Sequence, residues 1–305
     1  MTAVYGAGPI KRERATQAEM HERHLALCSI VADAAPTGVR FCYYRAVSQG
    51  IVPKTDNGYR MVQRALMHLR ETGIIPWTFI VDSSRWMRKP ETWSSGDKLL
   101  HEVARTYRRS NWDDSDERVE VWCESESVAG VIFPVTSQWD VPLYPMKGQT
   151  SASFAYAAAM EYKDDERPLI IYYVGDYDPA GLEIEAHLAH KLRKYSARAD
   201  MTIERLACTR QLIAELDLIG GKPKKRTWKH PALGVQPFAG EAVEVEAIDA
   251  PILRNIVSDA ITSHLDEHKL AVTRKGEEQE RALFLRMANG WSDDDEADLD
   301  GGELS

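Results

Sequence analysis

Apolar positions change their period near the middle of the chain. From about residue 13 to residue 35 they recur at helical spacing, and the run stops before Pro36. The stretch "GVRFCYYRAVSQG" keeps that spacing, with Phe41, Tyr44 and Val47 on one side, and ends at Gly50. A further helix is predicted from about 56 to 72, started by Thr55 or Asp56 and ended by Gly73. Its apolar stripe is Tyr59, Val62, Leu66 and Leu69, which leaves Arg60, Gln63, Arg64 and Met67 to look elsewhere. "IIPWTFIVDSSR" then reads as extended chain, and another helix is expected near 95 to 109.

Beyond the polar "SNWDDSDE" the pattern alternates. Strand "RVEVWC" leads to a helix at 126 to 137, strand "VPLYP" to a helix at 150 to 163, and strand "LIIYYV" to a helix at 180 to 196; strand "MTIERLA" comes next. Strands alternating with helices of this length predict an α/β fold built on a parallel sheet with helices on both faces. Such sheets carry their sites at the carboxyl ends of the strands. The first half reads as helix, turn, helix, strand. That order suits a winged-helix DNA-binding domain and equally a plain helical pair packed on a core.

The segments divide the chain into an N-terminal helical arm (1–36), a winged-helix domain (37–92), a linker helix (93–118), a sheet domain with C-terminal helices (119–290) and an acidic tail (291–305) expected to be disordered. The tail "WSDDDEADLDGGELS" holds seven of the 47 acids and no base, leaving 40 acids against 38 bases elsewhere. The net charge of -9 therefore hides a nearly neutral body. Its bases gather in clusters that include Arg60, Arg64 and Arg70, and Lys224, Lys225 and Arg226 in "GKPKKRTWKH". One such cluster is ordinarily a solvated face; several on a neutral body point to a polyanion. No apolar run approaches a membrane span and no signal peptide opens the chain, so a cytoplasmic protein with no membrane partner is expected. The four cysteines form no Cys-x-x-Cys pair and are expected to be reduced.

Chemistry concentrates at "PLIIYYVGDYDPAGLEIE", where a buried-looking strand runs into Asp176 and Asp178. Two carboxylates about 4 Å apart repel by roughly 4 kcal/mol at intermediate dielectric, so a positive third party is expected: a lysine, a helix N-terminus or a metal ion. Glu124 lies just past the first strand of the sheet and converges on the same rim if the two strands are neighbours. Three carboxylates on one rim suit a hard cation such as Mg²⁺. Each acid also has a plainer reading. Asp178 before Pro179 is an ordinary helix start, Asp176 can pair with a lysine, and Glu124 with Glu126 can cap the next helix.

The combination of a glutamate after the first strand and Asp-x-Asp-x-x-Gly after the third resembles the Toprim domain of topoisomerases, bacterial-type primases and several nucleases. The resemblance implies that Glu124, Asp176 and Asp178 organise Mg²⁺ at a scissile phosphate. "EAVEVEAIDAPILRNIV" resembles the segment that closes this domain in the topoisomerase VI lineage, with Glu244 the matching acid. "VRFCYYRAVSQG" resembles the motif of the topoisomerase VI A subunit and the related meiotic double-strand-break protein. That likeness implies Tyr44 as nucleophile, Arg40 as the accompanying arginine, and Tyr43 as the weaker alternative. The compact arrangement looks most like the Mini-A relatives.

Together these likenesses imply a Mg²⁺-dependent transesterase that cuts double-stranded DNA through a 5′-phosphotyrosyl link, working as a homodimer in which one subunit's tyrosine meets the other's metal. A tyrosine hydroxyl is only about one part in a thousand ionised at neutral pH and needs help from a cation or base. The chain carries no phosphate-binding Gly-x-x-x-x-Gly-Lys loop, so strand passage implies a separate ATPase subunit. One departure stands out: Glu124-Ser125-Glu126 replaces the family's frequent Glu-Lys-Asp, which leaves extra negative charge and makes Glu126 a further candidate. Two other readings stay open: a hydrolytic Toprim nuclease in which Tyr44 only packs, and a non-catalytic winged-helix DNA-binding protein.

Overall fold

The structure is a computed structural model and describes residues 16–80, 90–162, 164–198, 200–223, 238 and 240–299, with side chains described as far as residue 290. The chain divides into two compact units, Met1–Val81 and Asp82–Ser305. Among the described residues no helix is long and apolar enough to cross a membrane.

The first unit is built on α1 (Gln17–Ala34), α2 (Val39–Ser48) and α3 (Asp56–Glu71). Thr16 and Glu19 form a reciprocal capping box at the start of α1, satisfying two backbone N–H groups that the helix itself cannot. Thr55 caps α3 by accepting from Gly58 N at 3.1 Å. Position 58 has to be glycine, because a Cβ would stand 2.1 Å from the Pro53 carbonyl oxygen. Leu27, Ile30 and Val31 of α1, Phe41 and Cys42 of α2, and Val62, Leu66 and Leu69 of α3 are buried and form the core. The expected extended run after α3 is instead a tight turn. Ile74 N and Ile75 N both return to Leu69 O, and Pro76 opens a 3₁₀ turn at Trp77–Phe79. The chain becomes extended at Ile80, which bridges in parallel to Thr37. Residues 81–89, where a wing would come, lie outside the described residues.

The second unit begins with α4 (Gly96–Thr106) and then alternates β1 (Arg118–Cys123), α5 (Glu126–Gln138), β2 (Leu143–Pro145), α6 (Ala152–Glu161), β3 (Leu169–Val174), α7 (Pro179–Ser196) and β4 (Met201–Arg205). α8 (Arg210–Glu215), α9 (Ala250–Thr262) and the long α10 (Glu267–Leu299) complete it. All four strands are parallel, in the order β2-β1-β3-β4. The expectation of an α/β fold on a parallel sheet is met element by element. Leu169, Ile171 and Tyr173 of β3 join Trp122 of β1 in a core with Tyr162, Leu188 and Leu192 from the α6–α7 side. The intervening Tyr172 points the other way and meets His264, just past α9, at 2.7 Å. Side chains alternate across a strand, so helices cover both faces and β3 is apolar throughout.

Candidate active site

Strand order decides what comes together. β1 and β3 are hydrogen-bonded neighbours in a register that pairs Cys123 with Val174, and Glu124 N extends the ladder to Val174 O at 3.0 Å. Both strands therefore end at the same rim, and the residues just beyond them meet. Glu124 Oε2 accepts from Asp176 N at 3.2 Å. Asp176 Oδ1 accepts from Val245 N at 2.9 Å, which ties the later "EVEA" turn to the rim. Asp178 Oδ1 accepts from Gly181 N at 2.6 Å and caps α7, with Pro179 at the first helical position. Gly181 is required by closeness: a Cβ would lie 2.2 Å from Asp176 O and 3.4 Å from Glu124 Oε2.

Three partners answer the mutual repulsion of the acids: backbone N–H groups, the positive end of α7, and an arginine from β4. Arg205 Nη1 donates to Gly175 O at 2.7 Å and to Asp176 O at 3.1 Å, while its Nε donates to Glu185 Oε2 at 2.8 Å. Its guanidinium also stands 5.0 Å from the Tyr173 ring centre. Compensation is incomplete. Burial, and then the charges of Asp176 and Asp178, push the Glu124 carboxyl up to about 7, against the lowering effects of the Asp176 N–H and Arg205.

The other acids fall into place around this rim. Glu126 pairs with Lys147 at 2.7 Å, so a lysine from the loop after β2 faces the motif that lacks one in sequence. Ser125 is occupied as the cap of α5, accepting from Val128 N. Glu244 stands at the start of the 3₁₀ turn Val245–Ala247, half-buried, and Glu246 within that turn is only 5% exposed. Sequence reading singled out neither Arg205 nor Glu246. Arg205 had one usable signal, a cation at the carboxyl end of a strand neighbouring the acidic one; Glu246 lay inside the matched segment, and only burial separates it from Glu244.

The donor set at the rim is carboxylate oxygen throughout, which suits Mg²⁺, an ion held by one or two carboxylates with waters and phosphate completing its shell. Among the described residues no three His, Cys, Asp or Glu side chains already form a closed coordination group. Glu124, Asp176 and Asp178 each direct one oxygen to a backbone N–H as they stand.

Tyr44 lies in the first unit and the acids in the second. It is buried on α2, 7% exposed, with the Tyr43 ring edge-on at 5.2 Å and Lys54 Nζ 5.4 Å from its ring centre. Tyr43 donates its hydroxyl to Thr55 O at 3.3 Å. Arg40, one turn before Tyr44, is exposed with its guanidinium 5.8 Å from the Tyr59 ring centre. Arg60 and Arg64 are exposed on α3, whereas Arg70 is half-buried and stacks 4.3 Å from the Trp77 ring centre. Lys224, Lys225 and Arg226 lie outside the described residues.

No protein-family model matches the chain, and no curated protein does either. A separate cavity of about 610 Å³, lined by Asp116, Glu117, His264 and Lys269 among others, sits where β1 begins. The acid rim sits where β1 ends, and the six residues between span roughly 20 Å. The convergence of acids from two strands makes the rim, and not the cavity, the candidate reactive centre.

Proposed function

We propose that the chain is a Mg²⁺-dependent DNA-cleaving transesterase of the topoisomerase VI A type, with a winged-helix domain ahead of a Toprim domain, acting on double-stranded DNA as a homodimer. The observation that carries the reading is the meeting of Glu124 with the Asp176–Asp178 turn at the carboxyl rim of two adjacent parallel strands. Chain segments some fifty residues apart supply like charges to one spot, and a fold tolerates that arrangement where function uses it.

In this reading Tyr44 releases its hydroxyl proton to solvent as its oxygen attacks phosphorus, a tyrosyl–phosphate bond forms on the 5′ side, and the bond to the 3′ oxygen breaks. That oxygen takes a proton from solvent and leaves as a 3′-hydroxyl. One phosphodiester replaces another, so the reverse step reseals the strand. Bound Mg²⁺ would supply charge neutralisation at the phosphate. Glu124 would hold that ion together with Asp176 and Asp178, the dication offsetting the like charge that otherwise keeps the Glu124 carboxyl raised. Arg40 would hold the phosphate beside Tyr44, and Lys54 adds a positive charge against the tyrosine ring. Arg60 and Arg64 would bind backbone phosphates along α3. The resemblance implies a centre shared between two subunits, one supplying Tyr44 and the other the acids. Strand passage would need a separate ATPase subunit.

Burial of Tyr44 favours a second reading, a hydrolytic Toprim nuclease in which water attacks and the tyrosine packs the helices. One experiment separates the two. Supercoiled DNA is incubated with protein and Mg²⁺, denatured, and examined for protein on 5′ ends. The transesterase reading requires an adduct that Tyr44→Phe abolishes; cut DNA with bare ends, undiminished in Tyr44→Phe, selects the nuclease. Intact DNA under every divalent metal, with binding retained in Asp176→Asn, rejects both and leaves a DNA-binding protein.

A further inference from the structure

Trp77 is 54% exposed and Ile74, three residues earlier, 60%, so two large apolar side chains stand together in water. The indole is nonetheless held in place. The Arg70 guanidinium stacks on it at 4.3 Å from the ring centre, and Arg70 Nη2 donates to the Trp77 carbonyl at 3.4 Å. Arg70 belongs to the polar side of α3. Residues 60, 63, 64, 67 and 70 recur at helical spacing on that side, all exposed except the half-buried Arg70. Trp77 therefore ends a surface that begins with Arg60 and runs through Arg64 and Met67. Between the start of α3 and Ile80 three arginines, Arg60, Arg64 and Arg70, stand against two acids, Asp56 and Glu71.

We infer that Trp77, backed by Arg70, is a stacking platform for an unpaired nucleobase at the end of a phosphate-binding helix face. The inference rests on the DNA reading above and deepens it by naming the form of DNA that is preferred. Every base has a π-face, so an indole pinned on one side by a guanidinium accepts any base that leaves its stack, while Arg60 and Arg64 hold the flanking phosphates. The excess of arginine over acid argues for a polyanion over a protein partner, which an apolar patch alone would not decide.

The test compares two labelled duplexes of equal length, one fully paired and one with a central mismatched bubble, by fluorescence anisotropy at fixed salt in EDTA so that no strand is cut. The full-length protein should hold the bubble more tightly by roughly tenfold or more, the scale of stacking one or two bases. Trp77→Ala should erase that preference while leaving affinity for the paired duplex in place, Trp77→Phe should keep most of it, and Arg64→Ala should weaken both duplexes alike. A bubble preference that survives Trp77→Ala, or none in the wild type, overturns the platform. So does a dimer that Trp77→Ala dissociates without changing DNA preference, which would assign the patch to a protein contact. Failure to bind either duplex would instead overturn the DNA reading itself.

Discussion

Replacing Glu124 by glutamine should make the metal-free protein more stable at alkaline pH, even though it removes a proposed Mg²⁺ ligand. Gln keeps a side-chain oxygen to accept from Asp176 N and removes only the charge. Burial and the two aspartates move this carboxyl from its ordinary 4.5 to about 7. Between those values the unfolded chain gives up the proton while the folded chain keeps it, so rising pH favours unfolding and the native state loses stability through that window. The full shift corresponds to about 3 kcal/mol above pH 7, and to nothing below the unfolded value. Glu124→Gln should therefore match the wild type near about pH 4.5 and exceed it at about pH 8.5 by up to that amount, a rise of roughly 6–12 °C in melting temperature. Thermal unfolding in EDTA across this range measures the difference curve directly. Millimolar Mg²⁺ should close the gap by stabilising the wild type and not the variant. Parallel melting curves for the two proteins across the whole window would refute the accumulation of like charge at this rim.

Three further predictions concern the same rim. Asp178→Ala should cost about 1 kcal/mol through loss of the α7 cap, whereas Asp178→Asn keeps the cap; both should abolish Mg²⁺-dependent cutting, and an active Asn variant would reduce Asp178 to a cap alone. Gly181→Ala drives a Cβ against the Asp176 carbonyl, so a loss of at least about 2 kcal/mol is expected, and unchanged melting would show that the turn yields freely. Arg205→Met removes the donors to Gly175 O and Asp176 O and leaves Glu185 without its guanidinium partner. A loss on the order of 2 kcal/mol in chemical denaturation is expected, with wild-type stability the result that removes Arg205 from the account.

The chain spelled out its elements where local chemistry sufficed. Alternation of short apolar runs with helical stretches marked β1 to β4 and the helices between them, because each element's period and caps are written in consecutive residues. Asp178-Pro179 announced the start of α7, and Thr55 the start of α3, for the same reason. Glu124, Asp176 and Asp178 could be nominated from strand ends alone. Whether they meet could not, since two strands fifty residues apart become neighbours only through pairing across the sheet. The turn at Trp77–Phe79 reads as extended chain in sequence because Ile74 and Ile75 look like strand residues, while return bonds to Leu69 and the proline at 76 decide otherwise. Arg205 offered only its place at a strand end, and the Lys147–Glu126 pair offered nothing in one dimension: each acts on a segment distant in sequence, and a charge shows its effect only once folding fixes its distance and removes the water between. Tertiary structure alone decided that Glu124 titrates near neutrality and that Trp77 is exposed, for burial belongs to the packed chain and not to any single stretch of it.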